Sequence, residues 1–134
     1  MKTNFFLLIT IALLFFGSKS LYAQKDWVVP EYAKGLKNPF VGNSVATAEG
    51  KQIYGQMCVL CHGISGKGNG EAGLSLKKKP ANFLTLKDLE NEADGELFWK
   101  ITMGNPPMAS YDELLAEDQR WKLVNYIREL HKKK

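Results

Sequence analysis

The sequence predicts an all-α fold with long loops, and three observations carry that prediction. Near the C-terminus, Trp121, Leu123, Val124, Tyr126, Ile127 and Leu130 recur at helical spacing. Between Thr47 and Cys61, Gly50, Ile53, Tyr54 and Met57 fall on one helical face. No run of β-branched and aromatic residues marks a credible strand anywhere in the 134 residues.

The elements follow in order. Lys2, an apolar run from Phe5 to Phe16 broken only by Thr10, the small and polar Gly17, Ser18 and Ser20, and then Leu21-Tyr22-Ala23 have the layout of a secretory signal peptide. The run is shorter than the roughly 20 residues a bilayer span requires. Residues 1–23 are therefore read as a cleaved signal, with Ala23 the last residue removed and a periplasmic location expected. The alternative is an uncleaved anchor, which would put the chain at a membrane. Cleavage would take Lys2 and Lys19 away and lower the formal charge from +4 to +2. Such a balance gives no argument for nucleic-acid binding.

Residues 24–43 read as an extended arm. Trp27, Pro30, Gly35, Pro39 and Gly42 punctuate it, and Trp27 and Phe40 are expected to be buried beneath it. Residues 44–134 form the domain. Its first helix is predicted over Thr47–Cys61, with Thr47 as N-cap and Glu49 in the positive first turn. Gly50 costs a helix about 1 kcal/mol relative to Ala and marks a close helix crossing. Gly63 to Gly70 resembles a phosphate loop but lacks Ser or Thr after Lys67 and a strand before it; it reads as a tight turn. The basic run Lys77–Lys79 and Pro80 follow. A short helix is expected over Leu86–Asn91, and another from an Asp94 N-cap through Leu97, Phe98 and Ile101 to just before Gly104. Asn105-Pro106-Pro107-Met108 is rigid and non-helical. Ser110 and Glu113 have capping-box spacing for a further turn. The last helix spans Glu117–His131, acidic at its start and basic at its end, as the dipole prefers.

The chemistry lies in Cys58-Val59-Leu60-Cys61-His62. These two cysteines are the chain's only ones. A disulfide between residues three apart would constrain almost nothing. A thioredoxin-like pair would need a preceding strand, and a zinc site would need two more ligands where only His131 remains. Cys-x-x-Cys-His in an exported chain instead points to covalent haem attachment. Residues three apart lie side by side on a helical turn, so both sulfurs reach one edge of a porphyrin while His62 turns beneath it. The long segment from Gly63 to Leu84, with little periodicity, would then have a flat apolar group to pack on, and Leu74 and Leu76 are candidates to contact it.

Together these residues resemble the class I monohaem c-type cytochromes, over about Ser44 to Leu130. Gly50 and Tyr54 match the glycine and aromatic of that family's first helix, and Leu123 and Tyr126 match residues of the last helix that cross it. The resemblance implies three to five helices around one covalently bound haem c. It implies that Cys58 and Cys61 attach the haem, that His62 ligates the iron, and that the Pro80 carbonyl accepts a hydrogen bond from His62. Gly104 to Met108 looks like the loop carrying the distal methionine. Met108 is favoured as second ligand because two prolines stiffen its loop, with Met103 the alternative. Ala109 stands where the family often has proline. His/Met ligation would saturate the iron and leave no open position, which points to an electron carrier and not an enzyme. The implied partners are redox proteins, such as a respiratory complex, an oxidase or a reductase, with Lys67 and Lys77–Lys79 available to steer an acidic surface. Two alternatives stand beside the carrier. One is a haem subunit of a larger oxidoreductase complex. The other is a peroxidase or gas sensor with a displaceable Met108.

Overall fold

The computed structural model describes residues 26–85 and 87–132. The signal-peptide reading of residues 1–23, and Leu86 at the start of the short helix, lie outside the described residues. Among the described residues seven helical segments follow one another: α1 Glu31–Gly35, α2 Ser44–Met57, α3 Val59–His62, α4 Glu71–Leu74, α5 Lys87–Asn91, α6 Asp94–Met103 and α7 Glu117–Lys132. Three are long, and the other four have five residues or fewer. Among the described residues there is no strand, only an isolated bridge between Asn105 and Met108. The all-α expectation holds.

The frame is the crossing of α2 and α7. Trp121, Leu123, Val124, Tyr126, Ile127 and Leu130 of α7 are all buried, and each fully buried apolar side chain stabilises by about 1.5–3 kcal/mol. Gly50 of α2 lies directly against the Lys122 backbone, where a methyl group would collide with the Lys122 carbonyl. Tyr54 of α2 meets Tyr126 edge to face at 5.1 Å. Helix α6 joins the same core through Leu97, Phe98 and Ile101, with Phe98 stacked on Trp121 at 4.0 Å.

Several boundaries differ from the sequence reading, each for a local reason. Helix α2 begins at Ser44, not Thr47, because Asn43 is the N-cap: its Oδ1 accepts from the Ala46 N–H at 3.0 Å. Thr47 sits inside the first turn and donates its hydroxyl to the Asn43 carbonyl. The helix also breaks at Cys58, whose φ of −116° interrupts it before α3. Ala93, not Asp94, caps α6; its N–H donates to Glu96 at 2.8 Å. The Asp94 carboxylate is engaged instead by Arg128 at 2.8 Å and Asn38 at 2.9 Å. The segment from Gly63 to Leu84 contains a short helix, α4, that no periodicity announced. The turn expected at Ser110 forms over residues 112–114, with the Ser110 hydroxyl accepting from the Asp112 N–H.

The arm is not extended throughout, since α1 occupies its middle. Ala33 is fully buried, and its carbonyl lies over Gly95 of α6. Trp27 is half-buried against Trp99, with centroids 6.3 Å apart, and Phe40 is half-buried against the core. Asn125 on α7 donates to the Phe40 carbonyl at 2.6 Å and accepts from Asn38 at 2.7 Å, tying the arm to the last helix. Among the described residues, no helix is long and apolar enough to cross a membrane.

Candidate haem-binding site

The attachment motif sits where α2 breaks and α3 begins. The backbone N–H groups of Cys61 and His62 both donate to the Cys58 carbonyl, at 3.2 and 2.8 Å, so the two cysteines lie one turn apart and His62 follows directly. Both thiols are free and half-buried. Burial, with the neighbouring Cys61 adding to it, pushes the Cys58 thiol up to about 12. That thiol stays protonated at neutral pH and is unsuited to exchange chemistry, in which the thiolate is the nucleophile. Among the described residues, no group of three or more His, Cys, Asp or Glu side chains is placed to hold a metal ion.

The chain after His62 folds back beneath it. Gly68 N–H donates to the His62 carbonyl at 2.8 Å, and Gly70 N–H to the Cys61 carbonyl at 3.1 Å. Gly68 has φ +73° and faces the Pro80 carbonyl, so a side chain there would be both strained and obstructed. Tyr54 donates its hydroxyl to the Gly63 carbonyl at 2.8 Å and braces the turn from α2. Pro80 and Gly73 lie together beneath Cys61.

His62 is half-buried and stacks on Phe83, with centroids 4.8 Å apart and ring planes 14° from parallel. Burial lowers its pKa from the ordinary 6.5, and the Ala81 backbone partly opposes this. A neutral imidazole is the form that ligates a metal. Its Nδ1 is buried without a hydrogen-bond partner. A buried ring nitrogen needs an acceptor to fix the tautomer, and the Ala81 backbone lies beside it. Pro80, expected to receive the His62 hydrogen bond, lies in the adjoining segment with its carbonyl against Gly68.

Met108 stands in a two-residue turn closed by paired hydrogen bonds with Asn105, at 3.0 and 2.9 Å. It is half-buried, whereas Met103 is 53% and Met57 40% exposed. Around the cysteines Leu60, Ile64 and Leu74 are also exposed, an apolar surface of the kind a porphyrin would cover. Leu76 is half-buried, and Lys67 and Lys77 are exposed. Lys78 pairs with Asp26 at 3.2 Å, and Lys79 donates to the Leu74 carbonyl. His131, the other histidine, is bound to the Phe83 carbonyl at 2.7 Å.

Two residues escaped the sequence reading. Phe83 follows three residues after Pro80, and only its aromatic ring in a segment without periodicity hinted at a role. Tyr111 donates its hydroxyl to the Met57 carbonyl at 3.0 Å, and burial raises its pKa above the ordinary value. No local pattern connects residues so far apart in sequence.

The residues present thus fit a covalently attached haem: Cys58 and Cys61 to hold it and His62 to bind its iron. An all-α frame bearing this turn defines a c-type cytochrome domain. A family model described as cytochrome C oxidase, cbb3-type, subunit III matches residues 45–127, and the chain belongs to that family. No curated protein matches the chain. Among solved structures, it resembles the reducing HAO-like protein complex of Kuenenia stuttgartiensis, at 28% identity and a TM-score of 0.57. That similarity covers 71% of this chain and 46% of the other, so this chain spans less than half of the protein it resembles. The chain is thus a c-type cytochrome.

Proposed function

We propose that the chain is an exported, periplasmic carrier of single electrons with one haem c. Cys58 and Cys61 attach the haem, and His62 and Met108 bind the iron. The observation that carries the reading is the Cys58–His62 turn: two free thiols one turn apart, followed by a half-buried imidazole stacked on Phe83. Haem supplies a one-electron iron couple, and His/Met ligation raises its potential. The polypeptide fixes the imidazole by the Phe83 stack, excludes water from it by burial, and leaves the Pro80–Ala81 backbone beside it.

A second reading is a haem subunit docked in a larger oxidoreductase. The family description, subunit III of an oxidase, and a structural relative that is itself a complex both favour it. Redox titration and carbon monoxide binding of the purified holoprotein test the carrier chemistry. The expected result is one haem per chain by intact mass, a one-electron transition, and a ferrous form that binds carbon monoxide poorly at neutral pH. Rapid binding would instead indicate an open iron, as in a peroxidase or gas sensor. Co-purification from native membranes and periplasm separates the free carrier from the docked subunit.

A further inference from the structure

The segment immediately after Met108 is tied down from several directions. Tyr111 N–H donates to the carbonyls of Ile101 and Thr102, both at 3.2 Å, and Ser110 donates its hydroxyl to Thr102 at 2.7 Å. These bonds fasten the segment to the end of α6. The Tyr111 hydroxyl crosses to α2 and donates to the carbonyl of Met57, the residue before Cys58. From α7, Arg120 reaches the same place. Its Nη1 donates to the Tyr111 carbonyl at 3.4 Å and to Asp112 at 2.5 Å, and its guanidinium lies 5.3 Å from the centre of the Phe98 ring. Arg120 is 7% exposed, so this cation has left water to make these contacts. One tyrosine, three residues past Met108, thus joins all three long helices and ends next to the haem-attachment turn.

We infer that Tyr111, held by Arg120, is the positioning residue that keeps the Met108 loop closed over the iron. It thereby sets how readily an outside ligand displaces Met108. The inference rests on Met108 being the distal ligand. A loop ligand competes with exogenous ligands through the free energy of loop opening, and the Tyr111–Met57 bond must break for the loop to swing away from α2. Phenylalanine at 111 would keep the ring and its packing but lose that bond. Lysine at 120 would keep the charge but lose the planar guanidinium that lies on the Phe98 ring and holds Nη1 between its two acceptors.

The test is imidazole binding to the ferric holoprotein, followed by its spectrum, in the wild type, Tyr111→Phe, Arg120→Lys and Leu123→Val. Leu123→Val trims the α2–α7 crossing by one methylene and controls for stability loss alone. Tyr111→Phe should bind imidazole up to about tenfold more tightly, the amount one hydrogen bond is worth. Arg120→Lys should move in the same direction, and Leu123→Val should keep the wild-type affinity. Equal affinities in all four proteins would overturn the inference, as would an equal rise in Leu123→Val and Tyr111→Phe. Met108→Ala separates the two levels. If it opens the iron while Tyr111→Phe changes nothing, the positioning role alone fails. If it leaves the iron as closed as the wild type, the ligand assignment and the positioning role fail together.

Discussion

The Cys58–His62 turn and the Asn105–Met108 loop differ in how far their supporting parts are spread along the chain. The turn is nearly self-contained. Five consecutive residues carry both attachment points and a ligand, and most of its bracing comes from within a dozen residues: Gly68 on the His62 carbonyl, Gly70 on Cys61, Tyr54 on Gly63. The loop is supported from afar. Tyr111 is 54 positions from Met57, and Arg120 arrives from another helix. Chemistry that must be done by adjacent residues leaves a motif, whereas a loop position held by tertiary contacts leaves almost none. Under the proposed function the difference also separates two properties: attachment of the haem belongs to the turn, and closure of the iron belongs to the loop.

The largest effect that would break this comparison is at the turn. Replacing Cys58 and Cys61 together by Ala should abolish covalent haem, read as an intact mass equal to the bare polypeptide. Covalent haem retained in that double variant would remove the turn from the account. Next in size is Gly68→Ala. Its φ of +73° and the Pro80 carbonyl facing it give a cost of about 1–3 kcal/mol, visible as a lower denaturation midpoint, while the carbon monoxide response of the surviving holoprotein stays that of the wild type. A smaller loss is expected for Tyr54→Phe. Without its hydroxyl the Gly63 carbonyl keeps only the Gly66 N–H, a loss of about 1 kcal/mol, which lowers the melting temperature by roughly 5 °C. A destabilisation in either variant that also opened the iron would mean that turn and loop do not separate as described.

The same contrast explains what could be read before the structure. The all-α class, the α2–α7 crossing at Gly50 and the Cys58–His62 turn were legible because periodicity and adjacency encode them. The cap of α2 was misplaced because Asn43 and Thr47 are both capable residues, and only the hydrogen bond to Ala46 decides between them. Asp94 looked like a cap but is committed to Arg128 and Asn38, partners distant in sequence. Helix α1 was hidden among prolines and glycines, and its reason for forming is tertiary: Ala33 is fully buried over Gly95. Helix α4 includes Gly73, a poor helix former placed beneath the Cys61 carbonyl. Phe83 and Tyr111 carry no motif, since stacking on His62 and bonding to Met57 exist only once the chain has folded.

Whether the protein carries electrons or does chemistry at its iron turns on Met108. The most direct measurement is the ferrous absorption spectrum, with and without carbon monoxide, of holoprotein carrying Met108→Ala or Met103→Ala. Met108→Ala should lose its second ligand and bind carbon monoxide rapidly at neutral pH, while Met103→Ala should match the wild type. Opening of the iron by Met103→Ala alone, or a wild type that binds carbon monoxide as fast as Met108→Ala, would contradict a carrier closed by Met108.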